Sequence, residues 1–510
     1  MKKTTIIIIS ICFLSLTTCK DELDLLPLDR VTVESFYKTR SDFDGAIFAS
    51  YSSIQDFWGT STETLGERGE FWKLTLTSTD DVAYDNVTSD GRSQDIDNLQ
   101  FRSSDVPFAA IYTQLYEGIY RANLVLENLD GDNELTAEDK TVLGAEAKFL
   151  RAWFHFQAMK MFGTPPLALK VGTNLTDLAL PNATQDELYS AILDDLTTAA
   201  AGLPDSWDSS NTGRATSWTA KSYIGKVNVW KKDWPAAISA FQDVVQNGPY
   251  MLMPEYASNF NFDSENNLES IFEIQFGGPY SDDNIWVFDD THSENFKASQ
   301  GIARSNYWDA GNGAPGGKNG WFPPTQSIVD AFEPGDIRAD FSIYKAGDTY
   351  YVWGNGQTLS LPYDPAWSST GYTIKKYDGE HNSVGANHSP NEQSDWNNER
   401  WFRFSELKLL YAEALIEGGG DLTIAKQQID DVRQRAGLPI LDASADLTQA
   451  MRQEKRVELA FEPHRWFDIV RWGIGSQIFG ASWDDKLNLF PFPLSEVDRS
   501  NGLLKQNPGY

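Results

Sequence analysis

The chain has 510 residues, 41% of them hydrophobic and 23% charged, enough material for a large buried core and far from the composition of a disordered or collagen-like chain. Lys and Arg total 42 against 73 Asp and Glu, a formal charge of -31 that repels phosphate backbones and counts against nucleic acid as a partner. Aromatic residues make up 13%, with 17 Trp; that much indole points to rings held for stacking as well as for packing.

In chain order, Met1-Lys2-Lys3 is a basic start, and the apolar run from Ile6 to Leu16 falls well short of the roughly 20 residues that span a bilayer. It reads as the core of a signal peptide over residues 1–18, ending in the lipobox-like Leu16-Thr17-Thr18-Cys19. Cleavage there removes Cys12 and makes a lipid-bearing Cys19 the first residue and the one remaining cysteine, so no disulfide framework and no cysteine nucleophile is expected. Residues 19–40 then form a tether. A single lipid signal anchors weakly, so a protein partner is expected to help hold the chain at the membrane.

Residues 41–250 are predicted to be helical. Phe43, Ala46, Ile47, Ser50, Tyr51 and Ile54 share one face at three-and-four spacing. Pro107 opens a second helix, running through Ile111, Leu115, Ile119, Ala122 and Leu126. Thr136 caps a third that stops at Gly163, and Thr184 with Glu187 forms a capping box for a fourth. Between Lys221 and Pro249 the residues Ile224, Gly225, Ala237, Phe241 and Pro249 fall at the offsets of the roughly 34-residue tetratricopeptide repeat. Small residues there would let two helices approach, with Phe241 filling the groove between them.

Residues 251–400 change character: eleven glycines fall between Gly301 and Gly371, with Tyr280, Trp286, Tyr307, Trp308, Trp321, Tyr351, Trp353 and Trp367 among polar residues. Short strands, such as Ser270 to Phe276 and Tyr350 to Trp353, and ordered loops over the helical frame are predicted here. Helices return over 401–510: Phe404 to Leu415, Ile424 to Ala436, Met451 to Phe461, and a short amphipathic helix from Pro463 to Gly473. The fold class expected is mainly α, a scaffold of tetratricopeptide-like helical pairs carrying a large irregular insertion with short strands, the two helical blocks stacked on each other.

Chemistry is sparse. The histidines (His155, His292, His381, His388, His464) give no i, i+4 pair for a metal. Asp130 to Glu134 imitates the start of a calcium loop, but Leu135 stands where the loop needs Gly and Thr141 where it needs Glu. No G-x-S-x-G, P-loop or dinucleotide fingerprint occurs, so no cofactor is expected. The acidic pairs Asp80-Asp81, Asp282-Asp283 and Asp289-Asp290 keep open a glycoside hydrolase working through two carboxylates. Indole and phenol faces on loops suit the C–H face of a sugar ring or a peptide side chain, a chemistry of capture.

Several segments resemble the SusD/RagB family: Glu146 to Ala152, Arg403 to Ala414, Arg465 to Gly473 and the ending Gln506-Asn507-Pro508-Gly509-Tyr510. Pro463 stands where that family commonly has Gly. The resemblance implies a non-enzymatic, surface-exposed lipoprotein of the Bacteroidetes outer membrane, with Lys20-Asp21-Glu22 as an export tag. It also implies that the protein grips an oligo- or polysaccharide and delivers it to a SusC-like TonB-dependent transporter. Arg465, Trp466, Asp468 and Arg471 are read as structural. Where such proteins bind glycan, the loop after the first helices meets the central region. That assigns stacking to Trp286, Trp308 and Trp321, with Tyr307 and Trp353, and sugar hydroxyls to Asp81, Asp85 and Arg92. The cargo expected from the acidic charge is a neutral glycan such as a β-glucan; the alternatives are a peptide, as for some relatives, and the glycoside hydrolase.

Overall fold

The structure is a computed structural model that describes residues 36–58, 70–85, 91–172, 179–276, 311, 314, 320–354, 357–377 and 397–510. Its first half is helical: α1 (Arg40–Trp58), α2 (Glu70–Thr77), α3 (Gly91–Asp97), α4 (Val106–Asn128), α5 (Ala137–Phe162), α6 (Gln185–Gly202), α7 (Ser217–Lys231) and α8 (Trp234–Asn247). Local signals set several ends. Thr136 accepts from the Asp139 N–H while the Asp139 side chain accepts from the Thr136 N–H, and Thr184 and Glu187 do the same. Gly163 stops α5 at φ 75, where a side chain would be strained. From Phe149 onward α5 is buried on every side, because α1, α4 and α6 pack around it.

Close approach decides how the next pair sits. A Cβ built on Gly225 of α7 would lie 2.4 Å from the Phe241 ring of α8, so glycine is what lets the ring fill the groove between the two helices, as the repeat spacing predicts. The helices α11 (Phe404–Glu417), α12 (Leu422–Arg435), α13 (Leu447–Glu458), α14 (Arg465–Trp472), α15 (Gly475–Phe479) and α16 (Leu494–Arg499) make up the C-terminal part. There α8 packs on α11, and α11 on α12 and α13, so the two helical blocks are continuous.

The middle holds β1 (Ser270–Ile274), the short helices α9 (Gln326–Ala331) and α10 (Ile337–Ser342), then β2 (Ile343–Tyr344), β3 (Thr349–Gly354), β4 (Gln357–Pro362), β5 (Thr373–Ile374) and β6 (Glu399–Arg403). Among the described residues these strands form three two-stranded antiparallel sheets, β1 with β6, β2 with β5 and β3 with β4. The β1–β6 pair, Ser270 opposite Arg403 and Ile274 opposite Glu399, straddles the boundary between the central and C-terminal segments. Tyr344, Tyr350 and Tyr363 form a small core of their own with Trp367 against it, Tyr344 and Tyr363 being stacked at 5.7 Å. Part of the indole content is structural: among the described residues Trp58, Trp72, Trp153, Trp401 and Trp466 are all at most 2% exposed. These five rings serve packing, where composition by itself suggests stacking on a ligand.

Two predictions follow from this packing. Gly225→Val places a branched side chain against the Phe241 ring and is expected to cost about 1–3 kcal/mol, read as a lower urea midpoint with unchanged slope. His155 is buried, with Nδ1 against the Arg151 carbonyl at 3.0 Å and Nε2 accepting the Ala168 N–H at 3.2 Å; burial pushes its pKa down to about 3. The unfolded chain takes up this proton near the ordinary value of about 6.5. This stability is therefore complete above that pH and lost as pH falls toward 3, visible as a falling melting temperature that His155→Gln flattens.

Candidate functional site

The loop after α2 leaves the helix through hydroxyl caps, Ser78 Oγ donating to the Leu74 carbonyl and Thr79 Oγ1 to that of Leu76. It then runs extended beside residues 321–325. Asp85 N–H donates to the Trp321 carbonyl at 2.9 Å, Ala83 N–H to Pro323 at 3.0 Å, and Thr325 N–H to Asp81 at 2.9 Å, with Val82 bridged to Pro324. Side chains alternate along such a strand. Val82 and Tyr84 are buried, Tyr84 packing on Phe322 at 5.5 Å, and Phe322 packs on Trp72 at 5.2 Å. Ala83, Asp85 and Trp321 are half-buried on the other side, Trp321 packing in part against the main core. The early loop and the central region therefore meet in one short ladder.

Charge holds that ladder on the scaffold. Arg456 of α13 donates to Asp81 Oδ1 from Nε at 2.9 Å and from its terminal nitrogen at 2.6 Å, and to Ser327 Oγ at 2.8 Å. Arg465 of α14 grips Asp80 with two bonds of 2.9 Å, the bidentate geometry that guanidinium and carboxylate favour. Burial opposes the Asp80 charge, but Arg465 and Arg456 outweigh it and hold its carboxyl below the usual carboxylate range. Close by on α3, burial pushes Asp97 up to about 6 against the pull of the Tyr84 N–H and the Gln94 side chain.

This geometry corrects one assignment. Asp81 is 2% exposed and its carboxylate is taken by Arg456, so it fastens the loop and is not offered to a sugar. For the same reason Asp80-Asp81 is not a free pair of acids for hydrolysis. Asp85 and Trp321 do stand together. Trp286, Tyr307, Trp308 and Cys19 lie outside the described residues, as do Asp282-Asp283 and Asp289-Asp290. Arg92 belongs to α3 and Trp353 to β3. Sequence reasoning gave Arg456 no role, since it sits 375 positions from Asp81 and no local spacing marks such a pair. The Arg465 to Gly473 motif was visible, and its residues prove structural: Trp466 is buried, Asp468 accepts from Lys455 at 2.7 Å, and Arg471 pairs with Glu413. Among the described residues no group of three His, Cys, Asp or Glu could hold a metal, and no helix is long and apolar enough to cross a membrane.

Comparison with known proteins accounts for this architecture. Residues 269–488 match the SusD family, and residues 37–229 match the family described as starch-binding associating with outer membrane. The chain belongs to the SusD family. It is 26% identical to SusD-like protein P2 of Formosa agariphila over the whole of both chains. Its identity to the starch-binding protein SusD of Bacteroides thetaiotaomicron is 23%, over 99% of this chain and 98% of that one. Among solved structures it resembles a laminarin-binding SusD-like protein, with TM-score 0.77, 24% identity, and coverage of 93% of this chain and all of the other. It likewise resembles the surface glycan-binding protein A of Bacteroides thetaiotaomicron in complex with laminarihexaose, with TM-score 0.74, 22% identity, and coverage of 92% of this chain and all of the other. The fold is thus that of SusD-like proteins.

The Arg456–Asp81 pair can be separated from the exposed residues by mutation. Arg456→Ala strands a buried carboxylate and is expected to cost about 3–5 kcal/mol. Asp85→Ala, at a half-exposed site, is expected to change stability by less than about 0.5 kcal/mol. Chemical denaturation of the two variants checks both values.

Proposed function

We propose that this protein is a surface-exposed lipoprotein that captures an oligo- or polysaccharide by aromatic stacking and delivers it to a SusC-like TonB-dependent transporter. The observation that carries the reading is the ladder between residues 81–85 and 321–325, which leaves the Trp321 indole half-exposed beside Asp85 on a rigid support. Pro323-Pro324 stiffen the chain on the C-terminal side, and the ladder holds its backbone, so little ordering entropy is lost when a sugar ring settles on it. In this reading Trp286, Tyr307, Trp308 and Trp353 extend the stacking surface, and Asp85 and Arg92 bond to hydroxyls. No bond is broken in the cargo: the Asp80-Asp81 pair is neutralised by arginines, and neither family matched is one of enzymes.

A neutral glycan, specifically a β-glucan, is the proposed cargo. The acidic balance of the chain disfavours anionic polymers, and two structures of the same fold are named for binding laminarin and laminarihexaose. Affinity electrophoresis of the mature chain in laminarin, starch and an anionic polysaccharide tests this. Retardation by laminarin is expected, and Trp321→Ala should weaken binding about 5- to 10-fold, the value of one stacking contact. No retardation in any gel, with heat released on mixing with oligopeptides, would transfer the role to peptide capture.

A further inference from the structure

Two cavities, of about 280 and 240 Å³, adjoin along β1. Thr212, Gly213, Arg214, Phe272 and Glu273 line both, so the two form one trough with a pass at residues 212–214. None of these residues belongs to the Trp321 ladder. Phe48 and Gln55 of α1 line one compartment, and Trp207 and Tyr250 line the other. Glycine is required at the pass: the φ of Gly213 is 92, and a Cβ there would lie 2.4 Å from the Gln275 side chain.

The rings of this trough are held by the fold itself. The Trp207 indole N–H donates to the Ala215 carbonyl at 2.8 Å. The Arg214 guanidinium stands 4.2 Å from the centre of the Trp207 ring and 5.2 Å from that of Phe48, and it is fixed in turn by Glu146 and by Asp44 at 3.0 Å. An indole backed by a locked cation is a stiff platform, and little ordering entropy is lost when a flat ligand settles on it.

The charges around the trough are already spent. Arg214, the one cation lining it among the described residues, is paired, so an anionic ligand finds no counter-charge. Glu273 accepts from the Asn266 N–H at 2.9 Å, from Asn398 at 3.0 Å and from Ser270, with Arg400 at 3.5 Å. An added peptide strand is disfavoured as well, because the carbonyls of Ile271 and Glu273 already accept from Thr219 at 3.1 Å and Gln275 at 3.3 Å, and that of Gln275 accepts from Gln55. What the rim does offer is Asp205, Ser206 and Thr212, all exposed beside Trp207. A flat apolar face bordered by short hydroxyl and carboxylate groups suits a neutral sugar ring.

We propose that the trough along β1 is a second saccharide site, separate from the Trp321 ladder, which seats a neutral hexose unit on Trp207 with its hydroxyls on Asp205, Ser206 and Thr212. The choice of probe sugars rests on the glycan-capture reading above; the site itself shares no residue with it. A polymer long enough to reach both places is held by two modest contacts at once, which raises avidity without any new one.

The test is fluorine NMR of the mature chain carrying 5-fluorotryptophan, with the two resonances assigned through Trp207→Phe and Trp321→Phe. Laminarihexaose, cellohexaose, maltohexaose and a mixture of oligopeptides are the probes. At least one of the sugars should shift the Trp207 resonance saturably, and that response should persist in Trp321→Ala. Thr212→Leu fills the pass from an exposed position and should weaken the Trp207 response about 5- to 10-fold, the value of one lost contact, with the Trp321 response unchanged. A Trp207 resonance silent to every sugar overturns the inference whether or not Trp321 responds, and so does loss of its response in Trp321→Ala or full retention in Thr212→Leu. Response to the oligopeptides alone overturns it and gives the trough to peptide. A silent Trp321 beside a responding Trp207 supports this site and removes the ladder as the place of capture.

Discussion

The helix α13 is where this molecule is tied together, through charges placed where water cannot reach them. Glu454 and Glu458 accept from Arg338 at 2.6 and 3.0 Å, and Glu458 also accepts from Arg403 at 2.8 Å and from Arg435. Arg403 reaches Glu269 at 2.7 Å and Glu462, which in turn holds Lys376 at 2.6 Å. The side chains of Arg338, Arg403, Lys376, Glu458 and Glu462 have no exposed surface. A buried charge is tolerated only when paired and hydrogen-bonded, and removing one partner commonly costs about 3–5 kcal/mol. A network so connected therefore discourages any arrangement in which the central segments leave the C-terminal helices.

The same helix serves the candidate site from its other faces. Lys455 turns to Asp468 of α14 and Arg456 turns to Asp81, so neighbouring residues on one helix fasten the scaffold and the early loop. The loop gains rigidity from Arg456 and Arg465, which bond its two acids. The ordering of the two extended segments is completed on folding, because the ladder between residues 81–85 and 321–325 holds both backbones.

Aromatic residues have two separate uses in this chain. One set, including Trp58, Trp153, Trp401 and Phe57, interlocks edge to face in the interior, as with Phe57 and Trp153 at 5.5 Å and 88°. Another stiffens the central region, where Tyr344, Tyr350, Tyr363 and Trp367 make a satellite core far too small to fold alone. Trp321, half-buried against the main core, is held by the ladder to residues 81–85.

Helical content and much of the order of elements were legible in the chain itself. Capping boxes at Thr136 and Thr184, the stop at Gly163, and the Gly225–Phe241 spacing are local signals, and local hydrogen bonds and side-chain periodicity determine them whatever lies elsewhere. Tertiary structure alone decided which polar residues face inward. Asp81 reads in sequence like any exposed acid, and its burial depends on Arg456, brought from 375 positions away; the pairing of β1 with β6 and the depth of Trp401 are equally non-local. Periodicity marks the face of an element that will be buried. It carries no information about which distant element will cover it, and an acidic or indole side chain takes its role from that cover.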